Sequence, residues 1–369
     1  MSAIFEPGRI GLLETKNRLM RSPTCEWMCD ANGKAGQLLI DYYARLAKGG
    51  VGLIVLGHAY VTKTGKASPG QIGLYDDDLA EALRPVVDAV HKDGAKVMLQ
   101  INHAGGRGHP DLNGRAQPHA PSAVPDPRWD IVPEALGDEE ILALARAYGN
   151  AARRTRDIGF DGVQIHAAHG YLVSQFLSPY TNRRTDRWGG SLENRMRFLA
   201  MVCEEVRGQV GEQFPMTIKV ATQDFVCGGL DPDDGVKIAA RLADYGFDAI
   251  EMSGGVEAGN KPFSVRPGIN ERKDEAYFLD NARRIREVTG LPLMFVGGLR
   301  TPELMERMIT DEGMDFVSLS RPLINDPDLP NKWAAGSDER AGCISCNLCL
   351  KNRHEPLRCW YRQPAAVGV

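Results

Sequence analysis

The stretch HAAHGYLVSQFLSP, from His166 to Pro179, sets two histidines three residues apart with two alanines between them, and Tyr171 follows two residues later. The run just before it, GFDGVQI, reads as a buried strand, so this cluster sits where a core strand ends. Two kinds of chemistry are open to it. His-x-x-His is a common metal-ligand pair, and His103 can supply a third ligand. Alternatively, two ring N–H groups can hold an oxygen on which negative charge develops, while a phenol with an ordinary pKa near ~10 acts as a proton donor at neutral pH. A second concentration of reactive groups lies in GCISCNLCLKNRHEPLRCWYR. There Cys343, Cys346, Cys349 and Cys359 follow a C-x2-C-x2-C-x9-C pattern. Four cysteines this close point to a metal, either an iron–sulfur cluster or a zinc ion.

Eight short apolar runs can position these groups. They are NRLMRSP (from Asn17), VGLIVLG (Val51), KVMLQIN (Lys96), GVQIHAA (Gly162), MTIKVAT (Met216), AIEMSGG (Ala249), PLMFVGG (Pro292) and FVSLSRP (Phe316). They lack polar/apolar alternation, as expected of strands covered on both faces in a parallel sheet. Amphipathic stretches such as DDLAEALRPVVDAVHKDG and DEEILALARAYGNAARRTRDIG lie between them and read as helices. Eight strands alternating with helices predict a (β/α)8 TIM barrel. The competing doubly wound sheet would carry G-x-G-x-x-G after its first strand, and none is there.

Barrels of this kind place their chemistry at the C-terminal strand ends. Those ends hold Ser22-Pro23-Thr24-Cys25, Gly57-His58, Gln100 with His103, His166 with His169, Lys219, Ser253-Gly254-Gly255, Gly297-Gly298 and Ser320-Arg321. The last two strands end in VGGLRTPE and LSRPL. Gly297 and Gly298 allow close backbone approach and Arg321 adds a charge, so these loops predict a phosphate site.

Composition narrows the classes further. The chain has 369 residues, 43% hydrophobic and 25% charged, enough for a large core. A net charge of −4 with mixed signs argues against nucleic-acid binding. No run approaches the roughly 18 apolar residues that span a bilayer, and the N-terminus lacks a signal-peptide layout. Eight cysteines are not a disulfide-dense count. A reducing, cytoplasmic setting is expected.

Several stretches carry a resemblance to a known family: KNRLMRSPTC, LQINHAGGR, IHAAHGYLVSQFLSPYTNRRTDRWGGSLENRMRF, VGGLRTPE and LSRPLINDPDLPNK. The chain resembles the Old Yellow Enzyme family of FMN-dependent ene-reductases. It looks most like the bacterial branch with a cysteine after the first strand, and like the barrel of 2,4-dienoyl-CoA reductase. The resemblance implies a barrel over residues 1–335 and a cysteine-containing tail over 336–369. It implies FMN as cofactor, with NADH or NADPH passing hydride to flavin N5 and then to an alkene conjugated to a carbonyl or nitro group. His166 and His169 would hold the activating group, and Tyr171 would protonate the α-carbon. Gln100 would bond the flavin pyrimidine edge, Pro23, Thr24 and Gly57 would lie along the ring, and Cys25 would tune its potential. Gly297, Gly298, Ser320 and Arg321 would hold the phosphate.

Two positions depart from the family pattern. Lys219 stands where an arginine is usual near flavin N1 and O2, keeping the charge without the planar fork. Trp27 stands where a substrate-holding tyrosine is common. TDRWGGSLENRMRF reads as structural, with Ser191 capping a helix and Glu193 in its first turn. The dienoyl-CoA reductase branch binds a [4Fe–4S] cluster through four tail cysteines spaced C-x2-C-x3-C before a longer gap, and here the second gap is one residue shorter.

A flavin-dependent ene-reductase is therefore expected, with a small-molecule alkene as substrate and a homo-oligomer, dimer or tetramer, as its assembly. By the same resemblance, the tail would reach a neighbour's site through Trp360 or Arg362. The alternatives are an iron–sulfur enzyme of the dienoyl-CoA reductase or N-dealkylating dehydrogenase kind and, outside redox chemistry, a metal-dependent hydrolase built on His103, His166 and His169.

Overall fold

The computed structural model describes residues 2–361, apart from Arg115 and 257–263. Arg362 lies outside the described residues. Eight parallel strands form a closed barrel in chain order: β1 (Leu19–Arg21), β2 (Leu53–Tyr60), β3 (Lys96–Asn102), β4 (Gly162–Ala167), β5 (Met216–Ala221), β6 (Ala249–Ser253), β7 (Leu293–Val296) and β8 (Phe316–Leu319). Seven fall within the runs picked out by sequence, β2 runs on past the end of its run to Tyr60, and the (β/α)8 barrel is the observed fold. A hairpin over Gly8–Ile10 and Leu13–Thr15 precedes β1. Its Ile10 and Leu13 join Met20, Leu53, Val55, Met98, Ala249, Met294 and Phe316 in one buried cluster. The hairpin thereby plugs the N-terminal end of the barrel and leaves the opposite end for chemistry.

The helices start and stop where local chemistry requires. Asp138–Asp157 opens on Asp138, Glu139 and Glu140, and Glu140 turns back to accept the Gly137 N–H at 2.7 Å. Three acids in the first turn suit its positive end. Leu192–Val210 is capped by Ser191, whose hydroxyl accepts the Asn194 N–H, with Glu193 in the first turn. The stretch DDLAEALRPVVDAVHKDG forms two helices, Asp77–Glu81 and Arg84–His91. Pro85 has no N–H for a continuous helix, and it is accommodated in the first turn of the second one. Among the described residues no helix is long and apolar enough to cross a membrane.

The tail returns across the open end of the barrel. Ala341 N–H donates to Arg300 O, Arg300 Nε donates to the Cys343 carbonyl, and Leu357 N–H donates to Glu26 O. Leu357 and Cys349 pack with Ile324, Trp27 and Tyr42.

Phe316 is fully buried in the cluster that closes the barrel floor. Phe316→Ala is expected to destabilise the protein by ~3–5 kcal/mol, the usual cost of a large cavity in a packed core. Urea denaturation followed by circular dichroism measures it.

Candidate active site

Above the apolar floor the barrel interior turns polar. Strand register sets Lys219 of β5 beside His166 of β4 and Glu251 of β6, and Gln100 of β3 beside Gln164 of β4. Gln100 Nε2 donates to Gln164 Oε1 at 2.7 Å, and Gln164 Nε2 donates to Glu251 Oε2 at 3.2 Å. Lys219 Nζ donates to Glu251 Oε1 at 3.0 Å and to Ser22 Oγ at 2.7 Å. Burial lowers the Lys219 pKa, and the facing Glu251 carboxylate opposes that.

Four rings adjoin this layer. β2 slips by one residue against β3 between Leu56 and Ala59, a bulge at Gly57–His58. His58, His166, His169 and Tyr171 then gather with neighbouring ring centroids 4.9–5.9 Å apart. Hydrogen bonds fix two tautomers. Gln71 takes the Ala67 N–H on its oxygen, so its amide nitrogen faces His58 Nδ1 at 2.8 Å. His58 therefore carries its proton on Nε2, which lies 3.5 Å from Tyr171 Oη. Likewise the Ala168 N–H donates to His166 Nδ1 over 3.4 Å, leaving the proton on Nε2. His169 takes a left-handed backbone (φ 62°), tolerated by histidine more readily than by most residues. Its Nε2 lies 2.7 Å from Ser253 Oγ, and its carbonyl accepts from Arg107. The Arg107 guanidinium sits 5.0 Å from the Tyr171 ring centroid.

Burial is the main reason these histidines resist protonation, with the Lys219 and Arg107 charges adding to it at His166 and His169. Both lie well below the usual imidazole range. His58 is pushed down to about 3 by burial and then by Arg107 and Arg353. The rings are neutral N–H donors at pH 7. Cys25, bonded to Ser68 Oγ at 3.4 Å, is pushed up to about 12 by burial and the Glu26 charge, so it is a thiol.

The residues named from sequence for flavin, substrate and catalysis line one cavity of about 370 Å³, with Gly57 and Gly297 as exceptions. A side chain at Gly57 would strike the Glu26 carboxylate and the Thr24 carbonyl, and its N–H donates to Glu26 Oε1 at 2.8 Å. This glycine makes room for a buried acid. Gly297 O accepts the Tyr277 N–H. His103 does not line the cavity, so the three-histidine site of the hydrolase reading is not assembled. Among the described residues no three His, Cys, Asp or Glu side chains converge on a point where a single metal ion could sit. The four tail cysteines do line one smaller cavity, which shares Arg321 and Asn347 with the large one.

Sequence reasoning gave no role to His58, Arg107, Lys351 or Arg353, all of which line the large cavity. His58 was visible as a strand-end residue. Nothing in the sequence signalled that the tail would supply Lys351 and Arg353 to its own chain's cavity.

Comparison with known proteins defines the class. The chain belongs to the NADH:flavin oxidoreductase / NADH oxidase family, whose profile matches residues 3–339, in keeping with the Old Yellow Enzyme resemblance. It is 37% identical to an NADH oxidase of Thermoanaerobacter brockii over 95% of this chain and 54% of that protein. The fold matches a 2-naphthoyl-CoA reductase complex with TM-score 0.86 and 30% identity, over 94% of this chain and 54% of that one. It also matches the old yellow enzyme homologue from Zymomonas mobilis with TM-score 0.79 and 29% identity, over 92% and 94%. The chain spans about half the length of the first curated relatives it matches.

The family implies FMN, and the cavity suits it. Gln100 keeps its carbonyl oxygen and one amide hydrogen for a pyrimidine edge. Lys219 offers a cation, and Arg321 is oriented by Asn347 Oδ1 at 2.6 Å and the Arg266 carbonyl at 2.7 Å. Gly298 (φ 81°) has no room for a side chain against Tyr277. Ser318 Oγ is buried in the cavity wall with no partner among the described residues, an unmet bond that a polar ligand can satisfy.

A pH dependence of stability follows from the histidines. Unfolded imidazoles take up protons below about pH 6.5, whereas His58 and His103 stay neutral in the fold down to about pH 3. The unfolded state then binds more protons, so stability falls as pH drops through this window, by about 1.4 kcal/mol per pH unit for each such histidine. His103→Gln, outside the cavity, is expected to reduce the slope of unfolding free energy between pH 6 and 5 by about that amount. Urea titrations at the two pH values measure the change.

Proposed function

We propose that the chain is an NAD(P)H-dependent ene-reductase that reduces an alkene conjugated to a carbonyl or nitro group, with residues 1–335 as the FMN-binding barrel and 336–369 as its tail. The observation that carries this reading is the set of neutral imidazoles beside Tyr171 in the same cavity as Gln100 and Lys219. FMN, when bound, supplies the hydride, having been reduced by NAD(P)H.

The chain's own residues do the rest. His166 offers its Nε2–H to the substrate's activating oxygen, and Ser253 Oγ–H donating to His169 Nε2 leaves the second ring proton on Nδ1. Both N–H groups strengthen their hold as charge builds on that oxygen. His58 Nε2–H faces the phenol oxygen, leaving the Tyr171 proton for the substrate α-carbon. The phenolate formed then sits beside His58 and the Arg107 charge. Lys219 would lie by the flavin N1/O2 edge, Cys25 and Trp27 beside the ring and the substrate, and Arg321 with Gly298 and Ser320 by the phosphate. The proposal includes a cytoplasmic setting, supported by eight free thiols, and a dimer or tetramer, supported by family resemblance alone.

A second reading has one observation in its favour. Cys343, Cys346, Cys349 and Cys359 ring one cavity, and side-chain N–H groups reach two of the sulfurs, Arg300 Nη2 to Cys343 at 3.8 Å and Asn325 Nδ2 to Cys359 at 3.2 Å. Donors aimed at sulfur atoms suit an iron–sulfur cluster, which would supply one-electron transfer. Iron with acid-labile sulfide in anaerobically purified protein supports it, and their absence removes it.

The protein should purify yellow, bleach under NADH or NADPH without oxygen, and recover its colour with cyclohexenone. A colourless protein that holds stoichiometric zinc and cannot be loaded with FMN would end the reading. Tyr171→Phe should leave bleaching near wild type and slow recolouring by an enone ~10²–10⁴-fold, the usual contribution of a general acid. Nitroalkenes should suffer less, because a nitronate can be protonated by water. His166→Ala combined with His169→Ala should keep FMN and lose ~10²–10³-fold in enone reduction, the scale of losing charge-stabilising donors. Stopped-flow flavin absorbance separates the two half-reactions. Unchanged recolouring in Tyr171→Phe would return that residue to packing.

A further inference from the structure

Among the described residues, the large cavity is lined by basic side chains and by no aspartate or glutamate, in a chain whose net charge is −4. Most of its cations are already engaged. Lys219 faces Glu251, Arg300 is held by the Cys343 carbonyl and Ser345, and Arg321 by Asn347 and the Arg266 carbonyl. Arg107 and Arg128 share Asp126. The side chains of Lys351 and Arg353, both from the tail, have neither hydrogen bond nor ion pair with any described residue, although Arg353 is half-buried. Arg353 lines the same cavity as Cys25 and His58, and its charge acts on both.

A guanidinium with no partner among the described residues, lining the same cavity as the neutral rings with no described acid in its wall, is a recognition element for an anion. Its planar fork fits a carboxylate with two parallel bonds, and the surrounding positive potential gathers such ligands. We propose that Arg353, with Lys351 at the rim, selects electron-poor alkenes that also carry a carboxylate away from the double bond. The proposal rests on the ene-reductase reading for the alkene, and on the cavity wall alone for the carboxylate.

The test uses the FMN-loaded protein and a matched pair, 6-oxohept-4-enoate and its methyl ester, which share one enone and differ in charge. Binding of the saturated analogues, 6-oxoheptanoate and its ester, is read by calorimetry on the oxidised protein. The wild type should bind the acid ~10-fold or more tightly than the ester, the scale of a charge-assisted bidentate bond, and the preference should shrink with added salt. Arg353→Gln should remove most of that preference and lower the acid-to-ester ratio of kcat/KM by a similar factor. Lys351→Gln should have a smaller effect in the same direction. Equal affinity of the wild type for acid and ester overturns the proposal whether or not the variants fold. So does an Arg353→Gln effect of the same size on both ligands, or one confined to the KM for NADPH relative to NADH, which would assign the guanidinium to the 2′-phosphate. Tight, Arg353-dependent binding of the acid by a protein that reduces neither alkene would keep the anion site and remove the ene-reductase reading.

Discussion

The ion pair between Lys219 and Glu251 at the centre of the barrel is what the rest of the site depends on. Both side chains are almost wholly out of water, at 5% and 0% exposure. A buried charge without a partner is far costlier than the pair, and removing one member of such a pair typically costs ~3–5 kcal/mol. The remaining bonding capacity is met by Ser22, Gln164 and, through Gln164, Gln100. A cation is thus kept in place beside His166. Its charge is one reason His166 and His169 stay unprotonated, and that neutrality makes them usable as N–H donors. A charge held beside the ring layer thus adds to burial in keeping its histidines neutral donors.

That layer is made by departures from regular strand geometry. A perfect β2 would pair Gly57 and His58 evenly with β3. The extra residue breaks the ladder there, and Gln71 and Asn102 hold the displaced imidazole by its Nδ1. The glycine next to it is required by Glu26, whose carboxyl occupies the space a side chain would need and bonds Tyr43. Burial raises the Glu26 pKa. Glu26 in turn receives the Leu357 amide on its carbonyl, so the tail is docked onto the same segment that carries Cys25 and Trp27. Bulge, buried acid and tail form one mechanical unit around the cavity.

This explains what could be read in advance. Parallel barrel strands are covered on both faces, so each shows up as an unbroken apolar run, and its polar residues collect at the catalytic end. The eight strands, the histidine pair, Gln100 and Lys219 were legible for that reason. Ser191 was legible as a cap because capping is local chemistry. The bulge at Gly57–His58 was not, because a one-residue slip is fixed by the partner strand. Arg107 was not, because its role depends on where the His169 carbonyl points. The tail's four cysteines were legible as a spacing pattern, whereas the place of Lys351 and Arg353 in the cavity wall depends on long-range packing around Leu357 and Cys349.

The histidine pair itself shows why spacing alone left two chemistries open. Metal ligation needs imidazole nitrogens converging on one point, with a third ligand nearby. Here the His166 and His169 rings stand at 88° to each other, because His169 takes a left-handed backbone that swings its side chain onto Ser253. His103 is turned away, its Nδ1 occupied by the Gly105 N–H. A cation at the pair would also meet the Lys219 and Arg107 charges. The same positive surroundings favour an oxygen that gains negative charge. Backbone conformation and local charge therefore both point the pair toward holding an electron-rich oxygen, and away from holding a metal.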